Sequence, residues 1–132
     1  MTGKEVPFST LVGKTLVAIE GLENESEVVT FKCSDGSEFK MFHDQDCCET
    51  VTLVDVDEEA AAFVGHTITQ AETASFDAGA ANVGRDDGET WTFYKLSSGY
   101  YHMTLRWLGR SNGYYSERVD FWQTAGILIP TP

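Results

Sequence analysis

Seven consecutive residues, His43-Asp44-Gln45-Asp46-Cys47-Cys48-Glu49, hold one imidazole, three carboxylates and two thiols. Three kinds of chemistry suit such a set. Zinc would take His43 and Cys47 from one face of an extended strand, with two further ligands drawn from Cys48, Cys33, His66 or His102. No Cys-x-x-Cys or His-x-x-x-His pair supports that set, so no metal or other cofactor is expected, and protein purified without added metal should carry no stoichiometric zinc. A cysteine nucleophile would need an electropositive setting, whereas Asp44, Asp46 and Glu49 disfavour a thiolate. The third reading is structural: one cysteine packs inward as a small apolar side chain, and the acids cap a turn and face water. It is the reading the residue types favour.

A second concentration is aromatic. Of 16 aromatic residues, 10 fall between Trp91 and Trp122, interleaved with Arg106, Arg110 and Arg118. Alternation along the strand places Met103, Leu105 and Trp107 on one face and His102, Thr104 and Arg106 on the other. The turn that follows carries Arg110, Ser111, Asn112, Tyr114 and Tyr115, side chains that stack and hydrogen-bond at recognition surfaces. For the strand residues, cross-strand packing is explanation enough. Candidate ligand-binding residues are therefore His43, Asp46, Cys47, Cys48 and Glu49 in the first segment, and Arg106, Arg110, Asn112, Tyr114, Tyr115 and Glu117 in the second. Asp44, Asp46 and Glu49 are expected to orient the guanidinium of Arg106 or Arg110, provided the strands bring the two segments together. No catalytic set is expected. The chain has no glycine-rich phosphate loop, no Gly-x-Ser-x-Gly and no dinucleotide fingerprint.

The elements that must position these residues read mainly as strands. Period-two alternation marks Thr15 to Glu20, Glu27 to Cys33 (Val29, Phe31 and Cys33 on one face) and Glu38 to His43 (Phe39 and Met41 inward). Asp35-Gly36 supplies the tight turn between the last two. Thr50 to Val56 is apolar on both faces, which suits a central strand. Asp57 to Gly65 carries the one helix signal, with a helix near 58–64 that must pack through Phe63. Strand character returns at His66 to Thr73, Thr90 to Leu96, Tyr100 to Leu108 and Glu117 to Trp122, with 74–88 as an irregular connection. Asn112-Gly113 is a strong turn signal. About eight mostly antiparallel strands predict a single mainly β domain over 1–132, a sandwich or partly closed barrel, with its ordered core at about 11–123 and a frayed C-terminal tail.

The chain has 132 residues and a formal charge of −12. Residues 1–84 hold 16 acids against 4 lysines, whereas residues 85–132 hold 5 of each sign and all the arginines. The acidic part should repel nucleic acid and anionic membranes, so neither is an expected partner. The charge serves either solubility, a decoy surface that imitates a phosphate backbone, or a surface that docks on a basic partner. The first ten residues lack an apolar core of signal-peptide length. The three cysteines form no disulfide framework, which points to a reducing cytoplasm.

The same two segments carry a resemblance. His43-Asp44-Gln45-Asp46-Cys47-Cys48-Glu49-Thr50-Val51 resembles the His-x-Gln-Asp-Cys-Cys-Glu-x-Val stretch of a small family of unknown function from tailed phages and prophages. Trp91-Thr92-Phe93-Tyr94, the run from Arg106 to Val119 and Val12-Gly13-Lys14 are similar to its other signatures, and the likeness spans most of residues 11–122. It implies an accessory protein expressed in a bacterial cell and brings no activity with it. The expectation is a non-enzymatic domain that binds a host protein or a small ligand. The alternatives are a metal- or cysteine-dependent enzyme centred on His43, Cys47 and Cys48, and a minor virion component.

Overall fold

The structure is a computed structural model that describes residues 3–23, 25–45, 49–56, 63–77, 88–99, 101–111 and 117–126. The described residues form nine strands in chain order: β1 Lys4–Glu5, β2 Leu16–Glu20, β3 Val28–Cys33, β4 Glu38–Phe42, β5 Thr50–Val56, β6 Gln70–Asp77, β7 Gly88–Ser98, β8 Tyr101–Ser111 and β9 Asp120–Ala125. They form two antiparallel sheets, one ordered β1-β9-β4-β3-β2 and the other β5-β8-β7-β6. The fold is thus the mainly β sandwich the alternation predicts, and neither sheet closes into a barrel.

Inward residues of both sheets make one core. Val29, Phe31, Phe39, Met41 and Phe121 come from the first sheet, and Leu53, Tyr94, Leu96, Met103, Leu105 and Trp107 from the second. Burial of each large apolar side chain is worth about 1.5–3 kcal/mol. The indole N–H of Trp107 donates to the Met41 sulfur across the core at 3.0 Å, so its one polar atom is satisfied in an apolar setting. Phe8, in a short 3-10 turn at Phe8–Leu11, stacks edge-on against Tyr94 and Phe121, so packing extends N-terminal of residue 11.

The β3–β4 turn forms as its sequence requires. Gly36 adopts a φ of 86°, a conformation that costs a side-chain-bearing residue dearly. Asp35 accepts hydrogen bonds from the backbone and hydroxyl of Ser37, and from Lys14 at 2.7 Å.

Three expectations shift. β5 lies at the edge of its sheet, not at the centre. Its open side is taken by the loop before β3: Glu25 N–H donates to the Leu53 carbonyl at 2.7 Å, and Leu53 N–H to the Ser26 carbonyl at 2.8 Å. That loop supplies the cover that an adjacent strand was expected to give. β6 starts later than His66 and continues to Asp77, which shortens the irregular connection from its N-terminal end. Residues 63–67 instead turn and bond to the start of β2. The helix expected near 58–64 falls mostly on residues 57–62, outside the described residues, while Phe63 is fully buried.

Candidate functional site

Two connections cross between the sheets at one end of the sandwich. β4 leaves the first sheet for β5 in the second, and β8 leaves the second for β9 in the first. The strand registers place them side by side, because Phe42 pairs with Asp120 and Thr50 pairs with Arg110. These are the two segments singled out by residue type, and the fold brings them together.

His43 is the tie. Its Nδ1 lies 2.6 Å from the Arg118 carbonyl oxygen, and its Nε2 lies 2.7 Å from Oε2 of Glu49. The imidazole is 4% exposed and the Glu49 side chain 0%. A carbonyl oxygen only accepts, so Nδ1 carries a hydrogen. Nε2 and the Glu49 carboxyl group form the second hydrogen bond of the ring. The other carboxylate oxygen and the Glu49 carbonyl both accept from the Gln45 amide, at 3.2 and 2.7 Å. The dyad therefore spans one crossover and pins it to the other.

The second crossover is braced in its turn. Glu117 accepts from the Thr90 hydroxyl at 2.7 Å and from the Ser111 hydroxyl. A Cβ at Gly109 would sit 2.7 Å from Cβ of Glu117, so only glycine lets the returning chain lie this close to β8. The buried Tyr94 hydroxyl donates to the Val119 carbonyl at 3.2 Å, and burial pushes its phenol up from the ordinary tyrosine range. Arg118 bridges Glu5 and Asp120, the latter at 2.8 Å. Burial raises the Asp120 carboxyl above its usual value, while Arg118 pulls it back.

Beside the dyad opens a cleft of about 200 Å³ lined by Glu27, His43, Gln45, Glu49, Thr50 and Val51. Its lining can accept and donate hydrogen bonds, and Glu27 and Thr50 are exposed at its rim. Among the described residues no group of three or more His, Cys, Asp or Glu side chains is arranged to hold a metal ion.

Two arginines of β8 make ion pairs within their own sheet, and the expected link from Asp46 falls outside the described residues. Arg106 pairs with Asp55 at 3.0 Å and Arg110 with Glu89 at 3.5 Å, each acid standing on a strand paired with β8. Asp46, Cys47, Cys48, Asn112, Tyr114 and Tyr115 lie outside the described residues. Glu27, Thr50, Thr90, Tyr94 and Arg118 were not singled out by sequence. Arg118 enters through a backbone carbonyl, which has no signature in residue type.

Residues 9–121, a span that includes both crossovers, match a family described as a domain of unknown function, DUF7448. The chain belongs to that family. No curated protein and no solved structure matches it. In this DUF7448 domain, no helix among the described residues is long and apolar enough to cross a membrane.

Proposed function

We propose that this DUF7448 domain is a non-enzymatic phage or prophage accessory protein. It acts in the bacterial cytoplasm by binding a host protein or a small ligand at the braced end of the sandwich. One observation carries the preference for binding over catalysis: both ring nitrogens of His43 are already engaged by Arg118 and Glu49. A general base or a metal ligand needs a free ring nitrogen within reach of its target. What the braced end offers instead is a rim of polar side chains on a rigid support, the arrangement recognition surfaces use. Resemblance to phage and prophage proteins supports the bacterial setting, and the acidic first part of the chain suits a basic partner.

The test uses rim residues that the fold does not need. Glu27, Thr50 and Arg110 are exposed around the cleft and the neighbouring strand end. The chain, immobilised and exposed to bacterial lysate, should retain a partner in fixed ratio. A variant with alanine at all three positions should keep its melting temperature and lose at least tenfold in retention. Retention unchanged in that variant, or turnover of a small molecule by the parent chain, would contradict the reading.

A further inference from the structure

Each sheet of a sandwich has two edges, and exposed strand edges invite pairing with another chain unless they are blunted. Three of the four edges here are blunted. β1 is two residues long and carries Lys4. β2 has a bulge between Leu16 and Ala18, and its start is bonded by Gly65 and His66. β5 has an irregularity between Leu53 and Asp55, and its open side is bonded by Glu25 and Ser26.

β6 differs from these three, although the 3-10 turn at Phe8–Leu11 packs against it. Its eight residues, Gln70 to Asp77, pair with β7 in unbroken register from Gln70–Ser97 to Asp77–Thr90. It contains no lysine, arginine or proline. Among the described residues, its backbone is hydrogen-bonded to β7 and to no other element. Phe76, the most exposed large apolar side chain among the described residues at 61%, stands on it, opposite Trp91.

We propose that β6 pairs antiparallel with β6 of a second copy, giving a two-fold dimer with a continuous eight-stranded sheet. A two-fold axis normal to the sheet keeps outward residues of both copies on one face, so opposed positions share parity. Registers centred on Thr73 or Ala74 engage nearly the whole strand. In the first, Glu72 of one copy meets Ala74 of the other and Gln70 meets Phe76. In the second, Glu72 meets Phe76 and Thr73 meets Ser75. The strand's central carboxylate never opposes itself, and every other opposed side chain from 70 to 76 is uncharged, which is the charge pattern that self-pairing needs. Each chain carries −12, so the two copies repel at long range and added salt strengthens their association.

Sedimentation velocity on the full chain, from low micromolar to sub-millimolar concentration, tests this. The parent should shift from monomer to dimer with rising concentration, and at lower concentration in higher salt. Ala74→Glu puts carboxylates opposite each other in either register, on a side chain exposed in the monomer. It should raise the dissociation constant at least tenfold with the circular dichroism melt unchanged, whereas Ala74→Thr should leave the dimer intact. A parent that stays monomeric throughout would overturn the proposal. So would a dimer that Ala74→Glu does not weaken.

Discussion

The imidazole of His43 is a group suited to chemistry that ties two crossovers together. Its two nitrogens face a backbone carbonyl and a buried carboxyl group, and both are taken up in hydrogen bonds. Those two bonds connect the β4–β5 and β8–β9 crossovers. Cys33 is a parallel case among the thiols. It is buried between the sheets, and burial raises its thiol above the ordinary value, with Ser37 partly opposing the shift. In a chain carrying Cys47→Ser and Cys48→Ser, Cys33 should therefore resist a disulfide reagent at neutral pH and react at the rate of unfolding. Reaction within the mixing time of folded protein would show the thiol to be accessible. Residue types alone indicated that His43 and Glu49 mattered, but not for what, because the deciding partner is the main chain of a residue 75 positions away.

Among the elements, the β3–β4 hairpin was the most legible. Alternation at Val29, Phe31, Cys33, Phe39 and Met41 and the Asp35-Gly36 turn all reappear as read, since each signal is local. Where signals were not local the reading shifted. The apolar double face of Thr50 to Val56 implied neighbours on both sides, but it could not distinguish a strand from a loop as the second neighbour. The hairpin also gives a pH test. The hydrogen bond from Lys14, then those from Ser37, hold the Asp35 carboxyl well below the usual carboxylate range. A group depressed in the folded state stabilises fully above its unfolded pKa of about 4 and loses that contribution as pH falls toward the folded value. With the Asp35 side chain 53% exposed, the contribution is of surface size, about 1 kcal/mol. Urea denaturation should thus find Asp35→Asn less stable than the parent by a constant margin from pH 7 to about 4.5, with the gap closing below about 4. A gap that widens in acid would refute the sign.

At the scale of the whole molecule, two segments far apart in sequence become one structure because strand order sets both crossovers at one end. Composition and periodicity cannot encode that order, so the sandwich was legible while the adjacency of Thr50 to Arg110 and of Phe42 to Asp120 was not. The resemblance to a family of unknown function picked out both segments without indicating that they touch. Their connection through His43 and Glu49 joins the two sheets, and the cost of breaking it should register in global stability. Removing one member leaves the other buried without its partner, a loss of about 3–5 kcal/mol. Removing both leaves no orphaned charge, so the double variant should cost clearly less than the two single variants together.

The direct measurement is a double-mutant cycle of His43→Leu and Glu49→Leu by urea denaturation at pH 7. The central claim, that this pair is a brace beneath a binding face, predicts about 3 kcal/mol or more for each single change and a coupling of at least about 1 kcal/mol. Single variants within about 0.5 kcal/mol of the parent, with additive effects, would contradict it. They would mean that the fold does not need His43 and that the imidazole is held for chemistry instead.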